Sequence, residues 1–187
     1  MKPYFESDGI ILYNCDCRAV LDEVTTGTVF VGGPPYHENL SLTDAVVANL
    51  KAFGAVEALI QWTEMSWAPC PLPHVATHIW NYGPCSRRVY QPIYHFAADA
   101  RPRRSDLFYH RPITAESEEY AGHPHQYPVA LAEWLLSMVD PALTILDPFC
   151  GVGSTLIAAR NLKRKAIGVE LDERWCEIAA RRLQDAR

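Results

Sequence analysis

The chain has 187 residues, of which 49% are hydrophobic and 21% charged, a composition typical of a globular protein rather than a disordered or fibrous one. Its formal net charge of −5 argues against general polyanion binding, and no apolar run reaches the ~18 residues of a membrane span. Its N-terminus does not resemble a signal peptide, and its six scattered cysteines are typical of reduced thiols. We therefore expect one cytoplasmic domain over residues 1–187.

The first part of the chain predicts strands alternating with helices. Short β-branched runs bounded by turn residues indicate strands at 9–13 and 28–31, with a short helix at 18–24 between them. Apolar residues at helical spacing predict a helix over 42–53, and the segment 55–62 has the composition of a buried strand.

The middle of the chain, 63–122, is Pro-rich and irregular, with strands expected near 77–82 and 89–96. It contains a C-x3-H-x3-H-x6-C series that could hold a tetrahedral zinc: Cys70, His74, His78 and Cys85. The spacing matches no zinc pattern and prolines interrupt it, so we expect ordinary buried or solvated side chains there and no metal.

A basic and aromatic stretch lies within this middle region. Between residues 87 and 111 six arginines accompany two aspartates, and tyrosines and phenylalanines are interleaved with them. The arginines are Arg87, Arg88, Arg101, Arg103, Arg104 and Arg111. In an acidic protein such a stretch is either a local phosphate-contacting surface or a solvated loop region whose aromatic residues belong to the core. Composition favours neither interpretation.

Regular structure is predicted to resume near residue 128. A helix is expected to begin at Pro128, with an apolar stripe that continues to Val139. After it the pattern predicts, in order, a strand, a helix, a strand and a helix: 142–146, 154–161, 165–170 and 172–185. Strands alternating with helices predict an α/β fold with a mostly parallel sheet and helices on both faces.

The segment TILDPFCGVGST, from Thr144 to Thr155, is the most informative part of the sequence. A hydrophobic strand leads into a loop with Gly151 and Gly153 and then directly into a helix, so a ligand can approach the backbone closely at the carboxyl end of a strand. No Gly-Lys-Ser/Thr follows, which argues against a triphosphate P-loop, and Leu156 occupies the third position of the dinucleotide G-x-G-x-x-G pattern.

Two acids flank this loop in the sequence. Asp147 precedes it and would repel a pyrophosphate, although it suits a cationic group; Glu170 ends the next strand 23 residues later, where sites of this kind hydrogen-bond a ribose. The pair therefore predicts a ligand with a ribose and a positive charge but no phosphate. S-adenosylmethionine has these properties.

Three motifs resemble those of the DNA amino-methyltransferases. The segment from Asp147 to Thr155 resembles their DPF-x-G-x-G-T-T cofactor motif, His123–Pro128 (HPHQYP) is similar to HP-x-Q-K-P, and Gly33–Tyr36 (GPPY) resembles the catalytic DPPY motif. Their order is that of the β class, with the catalytic motif first and the cofactor motif last. The resemblance implies a Rossmann-like S-adenosylmethionine-dependent methyltransferase fold with circularly permuted motifs, in which 63–122 is a short target-recognition region.

The resemblance also implies a set of cofactor-binding residues. Asp147, Phe149 and Gly151 would line the methionine portion, Glu170 would hold the ribose and Asp16 would lie near the adenine edge. Tyr127 stands where the family usually has lysine. The complete set is Asp16, Pro34, His123, Gln126, Asp147, Pro148, Phe149, Gly151, Gly153, Ser154, Thr155, Glu170 and Leu171.

The implied catalytic residues are Gly33, Pro34, Pro35 and Tyr36. In the family a residue with an acceptor side chain, Asp, Asn or Ser, precedes the two prolines, but Gly33 has no side chain. Losing one preorganised polar partner of a reacting group costs about 10²–10³ in rate, so we expect weak or absent turnover with cofactor binding preserved. Three explanations of Gly33 remain. It is an engineered inactivation, or it marks a natural relative that has lost activity, or another group such as Glu38 or the Gly33 backbone takes the role of the acceptor.

The resemblance implies methylation of DNA, with adenine N6 preferred and cytosine N4 possible, on a target base that leaves the duplex. Two alternatives remain: an inactive cofactor-binding module that binds DNA or a partner, and a methyltransferase of RNA or protein amides. The arginines expected at the DNA are Arg87, Arg88, Arg101, Arg103 and Arg104. A homodimer or a separate specificity partner is also plausible, because the recognition region is short.

Overall fold

The computed structural model describes residues 1–21, 28–32, 55–61, 70–83 and 90–185. The chain divides into two compact units: Met1–Val20 with Pro112–Arg187, and Leu21–Arg111. The described elements are, in chain order, β1 (Phe5–Ser7), β2 (Ile10–Asn14), α1 (Arg18–Leu21), β3 (Thr28–Gly32), β4 (Ala55–Gln61), β5 (His74–Asn81), β6 (Tyr90–Ala97), β7 (Leu107–Tyr109), α2 (Val129–Leu136), β8 (Thr144–Asp147), α3 (Ser154–Asn161), β9 (Ala166–Glu170) and α4 (Glu173–Asp185).

In the first unit, β9 lies between β2 and β8 and is parallel to both, and β1 pairs antiparallel with β2. Parallel neighbours need a crossover connection, and α3 supplies it between β8 and β9. Helix α3 contacts α2, α4 and the strands beneath it. The buried core contains the apolar side chains that alternate along these strands and line the helices, including Ile10, Leu12, Ile145, Val169 and Leu156.

A glycine in the middle of β9 allows α3 to approach the sheet closely. A methyl group at Gly168 would lie 2.6 Å from Cδ1 of Leu156, a distance that real side chains essentially never adopt, and 3.1 Å from Sγ of Cys150, which is tighter than an ordinary contact. The close contact of α3 with β9 therefore depends on the missing side chain.

In the second unit, β3 and β4 are parallel, β6 lies antiparallel between β4 and β5, and β7 pairs parallel with the other edge of β5. One face of this sheet is buried, and His78, Trp80, Ile93 and His95 are each at most 3% exposed.

The predicted βαβα order of the last fifty residues is confirmed by β8, α3, β9 and α4. The predicted strands at 77–82 and 89–96 correspond to β5 and β6. Strands β1 and β7 were not predicted, because three residues are too few to show a period-2 pattern. The helix expected at 42–53 lies outside the described residues. None of the described helices combines the length and apolar character of a membrane span.

Candidate functional site

The glycine loop between β8 and α3 adopts a conformation that requires its glycines. Gly151 and Gly153 have φ values of 50° and 79°, in the left-handed region that favours glycine. A methyl group at Gly153 would also lie 3.1 Å from Cβ of Ala179 in α4. A methyl group at Gly151 would lie 3.5 Å from Nε2 of His123, which places the imidazole ring directly against the loop.

Glu170, at the carboxyl end of β9, holds this loop to the neighbouring strand. Its Oε2 accepts the Gly151 N–H at 2.9 Å, and its Oε1 accepts the Asp172 N–H at 2.8 Å. Burial raises the pKa of this carboxyl, although both backbone hydrogen bonds oppose the increase. Since a carboxylate oxygen can accept two hydrogen bonds, Glu170 has capacity for a ligand hydroxyl on each oxygen.

Asn14, at the end of β2, shapes the chain just beyond Glu170. Its Nδ2 donates to the carbonyl oxygens of Glu170 and Leu171 at 3.0 and 3.1 Å. Leu171 itself is 70% exposed, which is unusual for leucine. The sequence pattern did not identify Asn14, and only its position at a strand end next to Asp16 hinted at a role.

Asp147 ends β8 beneath the loop and is 1% exposed. Its Oδ1 accepts the Phe149 N–H at 3.1 Å, and its Oδ2 receives a long hydrogen bond of 3.4 Å from the Tyr127 hydroxyl. Burial raises the pKa of this carboxyl to about 6, and the negative charge of Glu170 adds to the increase. The structure therefore places a second acid close to Glu170 but deeper than the loop surface.

Tyr127 joins the segment before α2 to the glycine loop. Its hydroxyl is hydrogen-bonded to Thr155 Oγ1, and its carbonyl oxygen accepts the Ser154 hydroxyl at 2.9 Å. These contacts connect Tyr127, Thr155 and Asp147 in one chain of polar groups. In the sequence, Tyr127 is only a departure from the motif, since a tyrosine alone does not indicate a buried hydroxyl network.

Gln126 and His123 have different surroundings in the same segment. The amide of Gln126 is buried and forms two hydrogen bonds within its own segment. Its Nε2 donates to the carbonyl oxygen of Glu119 at 2.7 Å, and its Oε1 accepts the Ala121 N–H at 2.8 Å. These two hydrogen bonds stabilise the conformation of the segment, and the role of Gln126 towards the cofactor stays a prediction. His123 packs edge-on against Trp175 of α4, with ring centroids 4.8 Å apart, and burial lowers its pKa.

Asp16, expected near the adenine edge, is engaged with its neighbour Arg18. Its Oδ1 accepts both the backbone N–H and the Nε–H of Arg18 at 2.9 Å, and these hydrogen bonds lower the pKa of the carboxyl. Both side chains remain partly exposed. Asp16 therefore lies beyond the end of β2 as expected, with Arg18 balancing its charge.

The predicted DNA-contacting arginines differ in how available they are. Nη2 of Arg103 lies 3.3 Å from Glu57 and 3.1 Å from Asp99, so its charge is largely neutralised within the protein. Arg101 is 82% exposed and only 3.9 Å from Asp99, and Arg104 is exposed. Gly33–Tyr36, Arg87 and Arg88 lie outside the described residues.

The alternative zinc series does not converge in the described part of the chain. His74 pairs with Phe96 and His78 pairs with Ile93, because the register shifts between His74 and Ala76. Phe96 and Ile93 are three residues apart in β6 and lie on opposite faces of the sheet, so the two histidines do as well. His78 instead lies 3.2 Å from His95 and accepts the Asp106 N–H. Burial lowers the pKa of His78 to about 4. Cys85 lies outside the described residues.

Comparison with solved structures supports the α/β architecture. M1.HpyAVI in complex with SAM matches 93% of this chain and 98% of its own, with a TM-score of 0.71 and 22% identity. The PvuII DNA methyltransferase (cytosine-N4-specific) matches 99% of this chain and 93% of its own, with a TM-score of 0.70 and 13% identity. The fold is thus that of a Rossmann-like DNA methyltransferase, as the sequence predicted.

The DNA methylase family model for N6 and N4 methyltransferases matches residues 37–181, and this chain belongs to that family. Among curated relatives, the type II methyltransferase M.BglII of Bacillus subtilis is 37% identical over 75 residues, which is 40% of this chain and 21% of the relative. M.HindIII of Haemophilus influenzae is 42% identical over 72 residues, which is 38% of this chain and 23% of the relative. The matched region therefore spans less than a quarter of these relatives' length.

Proposed function

We propose that this chain binds S-adenosylmethionine and directs its methyl group to an exocyclic amino group of DNA, adenine N6 in preference to cytosine N4. The observation that carries the proposal is the acid-flanked glycine loop. Glu170 anchors Gly151 and retains acceptor capacity, Asp147 is buried just beneath, and the loop itself, from Pro148 to Gly153, carries no cationic side chain. Such a loop suits a cationic, phosphate-free nucleoside and disfavours a nucleotide phosphate.

Each part of the site has a role towards this cofactor. Glu170 would accept the ribose hydroxyls, and the exposed side chain of Leu171 would cover one face of the adenine. Asp147 would stabilise the positive charge of the ligand through the field of its carboxylate, since its burial excludes direct contact from outside the loop. His123 would close the methionine end of the pocket, held there by Trp175.

The cofactor supplies a methyl group on a positively charged sulfur. The chain must hold the nucleophilic nitrogen in line with that methyl group and accept hydrogen bonds from its amino hydrogens. On transfer, the C–N bond would form as the S–C bond breaks, and the methylated nitrogen would release its proton to water. We assign this task to Gly33–Tyr36: the backbone carbonyl at the Pro-Pro turn accepts one amino hydrogen and Tyr36 stacks on the extruded base. The missing side chain of Gly33 leaves one acceptor position empty.

Methyl transfer from labelled cofactor to unmethylated DNA tests the proposal. We expect slow transfer by the unmodified chain and a rate about 10²–10³ higher for Gly33→Asp, because the variant restores a polar partner of the reacting nitrogen. Mass spectrometry of the digested nucleosides identifies the base, and RNA and protein acceptors serve as controls. Equal rates for the two chains would refute the role assigned to the missing acceptor.

Gly33 also favours a second candidate, an inactive cofactor-binding module that binds DNA or a partner. Calorimetric binding of S-adenosylmethionine without transfer, even by Gly33→Asp, would support it against the enzyme. In either case we infer a protein that meets DNA in the cytoplasm. The short basic region leaves little surface for reading a long site, so we also infer a homodimer or a separate specificity partner.

A further inference from the structure

The sheet of the second unit carries three side chains side by side near the carboxyl end of β5. Tyr90 of β6 pairs with Asn81 of β5, and Asn81 pairs in turn with Tyr109 of β7. Residues that are paired directly across strands project from the same face of a sheet. Tyr90, Asn81 and Tyr109 therefore form one row across three strands, called here the tyrosine row.

The tyrosine row is exposed, in contrast to the opposite face of the same strands. Tyr90 is 55% exposed and Tyr109 is 68% exposed, whereas Trp80 and Gln91 on the other face are 3% and 6% exposed. Leu107, two residues before Tyr109 and on the same face, is also 45% exposed. Large aromatic side chains clustered on a surface are typical of a binding site.

The row also offers hydrogen-bond donors and positive charge. Asn81 Oδ1 accepts the Gly83 N–H at 2.8 Å, and among the described residues nothing accepts from its amide NH2 group. Arg111 follows Tyr109 by two residues and is exposed. In the sequence, the connection from β5 to β6 contains Arg87 and Arg88 and no acid.

We propose that the tyrosine row binds unpaired nucleotides of the DNA substrate, an inference that rests on the proposed function. Tyr90 and Tyr109 stack on bases, Asn81 donates to base edges and Arg111 contacts the phosphates. An unpaired base presents its π-face to an aromatic side chain, while a base inside a duplex is covered by its neighbours. Extrusion of a target base leaves unpaired positions at the site of reaction.

Charge favours DNA over a second copy of this chain as the occupant. In a two-fold contact the same patch faces itself, so Arg111 would approach its own equivalent. A polyanion, by contrast, is attracted to this positive charge although the whole chain is acidic.

Fluorescence polarisation with a labelled single-stranded oligonucleotide and a fully paired duplex tests the proposal. We expect Tyr90→Ala and Tyr109→Ala each to weaken single-strand binding about 5- to 20-fold, with a smaller effect on the duplex. Tyr90→Phe and Tyr109→Phe keep the ring and should retain most of the affinity. Arg111→Gln should lower the salt dependence of single-strand binding by about 0.7 in the log–log slope. Tyr4→Ala, an exposed tyrosine of the first unit, is the matched control.

Unchanged single-strand affinity of both alanine variants, or an equal loss for Tyr4→Ala, would overturn the proposal. So would variants that convert an oligomer into a monomer in sedimentation without weakening DNA binding, because the row would then be a contact between copies. Thermal melting confirms that each variant is folded. If an alanine variant is not, the expected loss of salt dependence in Arg111→Gln preserves the test, and an unchanged slope would overturn the proposal. Cofactor binding and methyl transfer are measured separately, so a failure of the proposed function is recognised independently.

Discussion

Asp147 shows how a single buried residue links the chemistry of the site to the stability of the protein. Its carboxyl is 1% exposed and contacts Tyr127 and the Phe149 N–H, but no described cation. A pKa of about 6 means that the folded state keeps the proton up to that pH, whereas the unfolded chain releases it near 3.8. The contribution of the Asp147 carboxyl to the free energy of unfolding is therefore fully present below about pH 4, and it is lost as the pH rises to about 6.

We expect Asp147→Asn to stabilise the cofactor-free protein at pH 7.5, by at most about 3 kcal/mol, because the buried negative charge is removed. The same variant should bind S-adenosylmethionine more weakly. In the unmodified chain, cofactor affinity should fall as the pH decreases through about 6, since the protonated carboxyl no longer attracts a cation. Urea unfolding and calorimetry at pH 5 and pH 7.5 measure both effects.

Glu6→Gln, which removes an exposed charge in β1, is the control for the change in net charge. If Asp147→Asn is less stable than the unmodified chain at pH 7.5, the buried negative charge of Asp147 does not destabilise the folded protein, and the prediction is wrong. Unaltered cofactor affinity of Asp147→Asn would show that Asp147 does not attract the cofactor and acts only through its hydrogen bond to the Phe149 N–H.

At the scale of elements, the positions of the glycine loop and α3 depend on close packing that glycines permit. Gly168 lets α3 lie close to β9, and Gly153 lets the loop pass next to Ala179. Buried Arg164 donates to the carbonyls of Leu136, Asp140 and Leu143, which ties the end of α2 to the connection before β8. The glycine loop is thus positioned by helix packing as well as by its own conformation.

We expect Gly168→Ala to lower the free energy of unfolding by about 1–3 kcal/mol, because the new methyl group overlaps Leu156. Leu156→Ala alone should cost about 2–5 kcal/mol through the cavity that it leaves. In the double variant the methyl group occupies part of that cavity, so the loss should be smaller than the sum of the two. Denaturant unfolding of the four chains gives this coupling, and strict additivity would contradict the close contact of α3 with β9.

At the scale of the whole molecule, the described cofactor-site residues belong to one compact unit and the tyrosine row to the other. We expect S-adenosylhomocysteine, the demethylated product, to slow amide hydrogen exchange most at residues 147–155 and 170–172. Strands β5 to β7 should change little. Saturation at one hundred times the dissociation constant should stabilise the folded protein by about 2.7 kcal/mol. Equal protection of both regions would contradict a ligand site centred on Glu170.

Local sequence alone was sufficient to predict the strand–acid–glycine–helix–strand–acid order of residues 144–170, because strand and helix periods and glycine requirements are properties of neighbouring residues. The α/β fold followed from the same order. The basic stretch was recognisable too, although composition could not separate a binding surface from ion pairs within the protein.

The tertiary structure decided which polar groups already have partners. Gln126 is used within its own segment, Arg103 is paired with Glu57 and Asp99, and Tyr127 reaches Thr155 and Asp147. It also placed Tyr90 and Tyr109 on either side of Asn81. Burial and hydrogen bonding between residues distant in the chain depend on strand order and register, and no local pattern of residue types contains that information.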